Sequence, residues 1–364
     1  MDKKRSGHSW LLIAAGALLV LIIVFITVTG LDLSPKTRIG YIMTGSMDDT
    51  GWNGMNYNGA IAASKRLDTV LLVEENISEG TGQCAEAIHR LVDDGAEMII
   101  LSSYGYPAEV SDVISQYPDI AFYGISADNK SDNMNYYFGR IYQARYLAGI
   151  AAGMKTQNNV IGYVAAMPNS EVNRGINAFT LGVKSVAPEA QVNVIFTGSW
   201  DDAEKERAAA IRLIEEYGAD VLTYHQNKHT VAQTADEAGI YSIGYNEAVT
   251  DLSDKYLTAA VWNWEELYYC IIREFIQGNA NNNRHWYDMK TGVIGLSEFS
   301  PMVTEDISNA VEKAKNSINA GFNIFSGIIY DNNGTLRCGE DEMLSDEMLF
   351  NNMNWYVDGV VIYE

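Results

Sequence analysis

Two tryptophans and an asparagine stand where a chain of alternating strands and helices would present them to a ligand. Trp52 ends the segment Thr44-Gly-Ser-Met-Asp-Asp-Thr-Gly-Trp52, after the β-type run Arg38–Met43, and Asn53 follows it. Trp200 lies in Thr197-Gly-Ser-Trp200-Asp201, after Gln191–Phe196, and Asn227 closes Tyr224-His225-Gln226-Asn227, after Asp220–Thr223. The same mixture recurs in Ser102-Ser103-Tyr104-Gly105-Tyr106, Gly244-Tyr245-Asn246-Glu247 and Val261-Trp262-Asn263-Trp264. Aromatic rings stack on flat apolar faces, while carboxamides donate and accept at the edge of a heterocycle. The combination suits a flat heteroaromatic ligand in a cleft. A single Trp at a strand end serves equally well to close a core, but several at corresponding positions fit that explanation less well. Trp52, Trp200 and Asn227 are therefore the leading contacts, with Tyr104, Asn246, Trp262, Asp49 and Asn53 around them.

Catalytic arrangements are weaker. His225 and His229 are four apart, a spacing that fits one helix face, but the glutamate of an H-E-x-x-H zinc site is missing from His-Gln-Asn-Lys-His. Gly80-Thr-Gly82 opens a helix, yet Ala85 occupies the third glycine position of a dinucleotide fingerprint, and no P-loop is present. Asp48-Asp49 could be a carboxylate pair, though adjacent acids on a loop more often cap a helix or bind polar ligand groups. The three cysteines, Cys84, Cys270 and Cys338, have no metal-ligand spacing, and Cys84 and Cys270 read as small buried thiols. The expectation is a binding protein with no cofactor, no metal and no catalytic residue.

The elements that must position these residues follow from the pattern of apolar runs. Strands are expected at Arg38–Met43, Val70–Glu74, Glu97–Leu101 and Ile120–Tyr123, with helices at Met55–Arg66, Cys84–Asp94 and Ala108–Gln116 between them. A second set follows: strands Val160–Val164, Gln191–Phe196, Asp220–Thr223 and Tyr241–Gly244, separated by helices Val172–Val186, Ala203–Tyr217 and Lys228–Ala238. Strands alternating with helices of this length imply βαβ crossovers and parallel sheets covered on both faces. Two sets imply two Rossmann-like α/β lobes, whose ligands bind beyond the carboxyl ends of the strands. Later elements (helix Trp264–Gln277, strand Gly292–Ile294, helix Asp306–Ala320) exceed what either set needs and are expected to cross back as a multi-strand hinge. The boundaries read as 1–35 for a tail and anchor, 36–140 plus 262–288 for the first lobe, 141–261 plus 289–335 for the second, and 336–364 for a C-terminal segment packed on the lobes.

Bulk properties narrow the partners. A net charge of −22 and a pI near 4.5 exclude a nucleic-acid partner, because phosphate backbones select basic surfaces. Lys3, Lys4 and Arg5 precede an uncharged apolar run from Leu11 to Val28, which as a helix would span about 27 Å, close to a hydrocarbon core. Basic residues hold that end in the cytoplasm, so the rest of the chain is expected outside a cell membrane on a single N-terminal transmembrane helix. A cleavable signal peptide is the rival, but its apolar region runs only about 7–15 residues.

The assembled residues resemble the basic membrane protein family of ABC-transporter binding proteins, whose members include purine nucleoside and nucleobase receptors. The resemblance runs through Asp48-Asp-Thr-Gly-Trp-Asn53, Glu75-Asn-Ile-Ser-Glu-Gly80, Ser103-Tyr-Gly-Tyr106, Ala144-Arg-Tyr-Leu-Ala-Gly149, Asn159-Val-Ile-Gly-Tyr163, Arg174-Gly-Ile-Asn177, Gly218-Ala-Asp-Val221, Leu257-Thr-Ala-Ala-Val-Trp-Asn-Trp264 and Trp355-Tyr-Val-Asp-Gly359. It implies a type I periplasmic binding protein fold with chain-discontinuous lobes, a small-molecule purine ligand, and an ABC permease as membrane partner. It also implies that Trp52 and Trp200 stack on the base with Asn227 at its polar edge. Nucleoside-binding relatives place an acid at Asn246 and a lysine at Trp262 to hold ribose, so their replacement here favours a nucleobase. Nucleobase-binding relatives carry aspartate at Asn227; a carboxamide both donates and accepts, which suits oxo-purines. A tethered sensor that signals purine occupancy without transport is the alternative expectation.

Overall fold

The computed structural model describes residues 14–15, 35–49, 51–126 and 133–364. The apolar run 11–28 lies outside the described residues apart from Ala14 and Ala15, and so does the transmembrane helix expected there; among the described residues no helix is long and apolar enough to cross a membrane. Arg38–Glu364 forms a compact unit, to which the following description applies.

The first five strands are β1 (Arg38–Ile42), β2 (Val70–Glu74), β3 (Met98–Leu101), β4 (Ala121–Ile125) and β5 (Met134–Gly139). The next five are β6 (Val160–Ala165), β7 (Gln191–Phe196), β8 (Val221–His225), β9 (Tyr241–Asn246) and β10 (Tyr256–Trp262). Then come β11 (Arg284–Tyr287), β12 (Ile294–Leu296), β13 (Ile329–Tyr330), β14 (Leu336–Cys338) and β15 (Val360–Tyr363). The first sheet has the order β11-β5-β4-β3-β1-β2 and the second β12-β10-β9-β8-β6-β7-β15. All described pairings are parallel except the β10–β12 edge and the small β13–β14 hairpin. Central strands such as Met98-Ile-Ile-Leu101 and Val221-Leu-Thr-Tyr-His225 are buried along their whole length, as a sheet covered on both faces requires.

The chain crosses between the two large sheets after β5, after β10 and after β11. Close helix packing fixes the first two changes. Beyond β5, helix Tyr142–Lys155 lies against helix Ser170–Lys184, where a Cβ at Gly149 would stand 2.0 Å from the Phe179 carbonyl oxygen and one at Gly182 2.1 Å from that of Tyr146. Beyond β10, helix Trp264–Ile276 returns to pack on helix Trp52–Arg66, where a Cβ at Gly59 would be 2.4 Å from the Trp264 Cβ. Each sheet with its helices forms one lobe.

Several expectations change. Strands β5 and β10 and helix Tyr142–Lys155 add to those read from the sequence. The single helix expected over Ala108–Gln116 is two short ones, Tyr106–Glu109 and Ser111–Ile114, interrupted at Val110. The strand expected at Gly292–Ile294 starts at Ile294, because Gly292 is a left-handed cap on a 3-10 turn. The C-terminal segment adds β15 to the second sheet through a parallel pairing with β7 and contributes helix Asp346–Asn351.

Candidate ligand-binding cleft

A cavity of about 680 Å³ lies beyond the carboxyl ends of both sheets. Its volume is in the range of small-molecule sites. From the first lobe it is lined by Thr44, Trp52, Asn53, Glu79, Ser103, Tyr104, Ile125, Ser126 and Phe138. From the second come Asn169, Ser170, Glu171, Arg174, Trp200, Asn227, Tyr245 and Asn246, and the C-terminal segment adds Phe350 and Asn351. Six of the eight residues expected at the site are thus brought together; Asp49 and Trp262 do not line it.

Trp52 is the first residue of its helix, and its indole is held from behind. Its Nε1 donates to the Ser102 carbonyl at 3.2 Å, and Trp264 meets it edge-on at 5.0 Å. The turn before it is tied by side chains. The Asp49 carboxylate accepts from the backbone N–H of Gly51 at 2.9 Å, and from the Asn53 N–H and carboxamide at 3.3 and 3.1 Å. Asn53 Oδ1 in turn accepts from the Thr44 hydroxyl and the Gly45 N–H. A Cβ at position 54 would fall 1.7 Å from the Asp49 carbonyl oxygen, so the turn requires Gly54. Asp49 therefore ties the turn that presents Trp52 and does not itself line the cavity.

On the opposite lobe, the Trp200 carbonyl accepts from the Asn227 backbone N–H at 2.9 Å, and the Trp200 ring lies edge-on to His225 at 5.8 Å. The Asn227 carboxamide makes no hydrogen bond among the described residues. Asn246 ends β9 with φ 72°, a conformation that asparagine tolerates better than most residues. Its Nδ2 lies 3.2 Å from Met55 Sδ of the first lobe, and its buried Oδ1 has no partner. Tyr104 stands at the rim, 71% exposed. Trp262 is buried one layer back, stacked on Trp264 at 4.8 Å and packed against Phe138, which does line the cavity.

The polar floor comes from helix Ser170–Lys184, which was not expected to contribute. Asn169 caps it by accepting from the Val172 N–H, so its first turn faces the cleft. The Glu171 carboxylate stands 4.0 Å from Nε2 of the neutral His225 ring, and burial raises its pKa against the pull of Arg174 and Arg145. Arg174 donates to the Leu349 carbonyl at 2.5 Å, has an unpartnered Nε and lies 4.9 Å from the Trp286 ring centre. Burial lowers its pKa to about 10, so it remains a cation at neutral pH. The strand-end rule, applied after β6, could have found Asn169–Glu171; Arg174, a turn further on, and Phe350, far along the chain, carry no such signal.

His225 and His229 do not share a helix face. His225 is the last residue of β8, fully buried, and burial with Arg145 and Arg174 nearby holds its pKa well below 6.5. His229 precedes helix Thr230–Glu237, with Nε2 2.8 Å from Glu247 Oε1 and Nδ1 3.0 Å from the Tyr224 hydroxyl. Among the described residues no cluster of three or more His, Cys, Asp or Glu is placed to hold a metal ion, and all three cysteines are free, Cys270 being only half-buried. The cleft therefore offers two indoles, an uncommitted carboxamide, and an adjacent carboxylate and guanidinium. That set can hold a neutral polar heterocycle. The acids Glu79 and Glu171 outnumber Arg174 in the lining, which disfavours a phosphate group.

Residues 36–326 match the family model described as ABC transporter substrate-binding protein, PnrA-like. A purine-binding protein of Brucella abortus is 31% identical over 333 residues, covering 89% of this chain and 93% of its own. A Haloferax volcanii protein, provisionally named as an ABC transporter glucose-binding protein, is 32% identical over 322 residues, covering 88% of this chain and 79% of its own. Among solved structures, a transcriptional activator of the comK gene from Bacillus halodurans is similar in fold, with a TM-score of 0.70 at 24% identity over 78% of this chain and 99% of that one.

Proposed function

The chain belongs to the PnrA-like family of ABC transporter substrate-binding proteins, and from that premise we propose that it captures a purine-type ligand between its lobes for import. The observation that carries the reading is the pairing in one cavity of Trp52 from the first lobe and Trp200 from the second, beside the free carboxamide of Asn227. The indoles stack on the base, and Asn227 donates to and accepts from its edge. The Brucella relative, a purine-binding protein, supports this choice.

Closure on the ligand is a population shift, so the ligand must bind the closed arrangement better than the open one. Contacts made from both lobes meet that condition, because they exist together only when the lobes are near. The occupied form then docks on an ABC permease. The basic residues before the apolar run 11–28 support a membrane tether with the binding unit outside the cytoplasm. Retention of the protein in the membrane pellet after alkaline carbonate washing tests the tether; release into the supernatant would count against it.

Replacement of the acid and lysine of nucleoside receptors by Asn246 and Trp262 favours a base over a nucleoside. The relative named for glucose supports a second reading, a hexose, whose faces also stack on indoles and whose hydroxyls would meet Glu171 and Arg174. Ligand released from the denatured protein and identified by mass spectrometry separates the readings: a purine supports the first, a hexose the second.

A further inference from the structure

Helix Asp346–Asn351 lies beyond residue 326, where the family match ends, yet it reaches the cleft. It is fastened on two sides. Arg140, at the end of β5, donates from Nη1 to Asp346 Oδ1 at 2.8 Å and from Nη2 to the other oxygen. On the second lobe, Arg174 donates to the Leu349 carbonyl, and Asn173 and Asn177 donate to the carbonyls of Met353 and Trp355 at 2.9 Å each. Bidentate and charge-assisted bonds of this kind hold geometry closely.

Between these ties stands the half-buried ring of Phe350. It meets Trp286 edge-on at 5.2 Å and Phe138 edge-on at 6.4 Å, with the Arg174 guanidinium carbon 5.7 Å from its centre. The cleft lies on one side. On the other is a cavity of about 220 Å³ lined by Tyr136, Tyr137, Trp286 and Arg284. Ser126, Phe138, Phe350 and Asn351 belong to both linings.

We propose that Phe350 is a specificity-determining partition, setting how large a substituent the cleft accepts on the ligand it binds. The proposal takes its probes from the purine reading but stands on the two cavities and the ring between them. With the phenyl ring present, the cleft ends at Phe350 and favours compact ligands. Without it, the two spaces join, and an aryl group can enter among Phe138, Trp286 and the tyrosines of the side cavity. The helix carrying Phe350 is anchored by other residues, so truncating this side chain opens the wall without removing the helix.

Isothermal titration of the full-length protein with adenine, and with adenine carrying a benzyl group at N6, C8 or N9, tests the partition. In Phe350→Ala at least one benzyl isomer should gain about tenfold or more in affinity relative to adenine, as expected when a ligand ring refills the space of the deleted one. Phe350→Trp should shift the same ratio the other way. Equal ratios in all three proteins overturn the proposal and leave the purine reading intact. If the parent does not bind adenine, the partition is judged by benzene alone, whichever other purine it binds: benzene should raise the melting temperature of Phe350→Ala but not of the parent, and failure to do so overturns the partition; the purine reading falls only if hypoxanthine is not bound either.

Discussion

The Asn227 backbone N–H donates to the Trp200 carbonyl at 2.9 Å, so the proposed stacking residue and the proposed reader of the ligand's edge are joined through the main chain. Trp200 therefore cannot shift without carrying Asn227 along. Stacking on an indole is worth roughly 1–3 kcal/mol per base. Trp200→Ala and Trp52→Ala should each weaken purine binding by roughly five- to more than a hundredfold, measured by titration calorimetry. Parent-like affinity in both variants would remove the stacking site from consideration.

Asn227→Asp keeps the shape of the side chain and removes its donor. A carboxylate accepts only, so hypoxanthine, which presents a carbonyl beside an N–H, should lose affinity relative to adenine. Competition binding with the two bases gives the ratio. An unchanged ratio would mean that the carboxamide does not read the base.

Asp49 tests the distinction between building the site and touching the ligand. Its carboxylate closes the turn that presents Trp52 and Asn53, in the manner of a helix cap. Asp49→Ala should lower stability by about 1 kcal/mol, read by chemical denaturation. Its effect on purine affinity should stay well below that of Trp52→Ala. A loss of binding as large as that of Trp52→Ala, with stability unchanged, would restore Asp49 as a ligand contact.

Acid should destabilise the second lobe through His225. Its folded pKa lies well below the ordinary 6.5, chiefly because of burial and then Arg145 and Arg174. The unfolded chain takes up a proton at this residue that the folded protein refuses, so the stabilisation is complete above about pH 6.5 and is lost as pH falls toward the folded pKa. Glu171 works in the opposite sense, since its raised pKa favours the fold below about pH 4.5, the ordinary carboxyl value, and fades as pH rises through the shifted one. The two groups act in opposite senses as pH falls, so the variant His225→Gln isolates the part due to the histidine. It should show a smaller fall in melting temperature between pH 7.5 and 5.5 than the parent; identical slopes would show that His225 is not the responsible group.

The alternation of strands and helices was legible because each central strand is a short apolar run and each helix carries one apolar face, as in Gln191–Phe196 and Ala203–Glu215. Strand β5 was harder to read: Met134-Asn-Tyr-Tyr-Phe-Gly139 mixes a polar residue with aromatics and shows no simple apolar run. The place of Trp52, Trp200 and Asn227 in the cavity lining was legible because the cleft of a parallel sheet forms beyond its strand ends. Trp262 follows the same rule and still does not line the cavity, because the second chain crossing stacks it on Trp264. Phe350 could not be read in this way. It reaches the cleft through bonds to Arg140 and Arg174, more than 170 residues away in sequence, and no local pattern encodes such a contact.

The most direct test of the central claim is a side-by-side titration of the purified full-length protein with adenine, hypoxanthine and glucose. The structure-based account predicts saturable binding of at least one purine, weakened in Trp52→Ala and Trp200→Ala, and no binding of glucose under the same conditions. Saturable glucose binding with no response to either purine would contradict it.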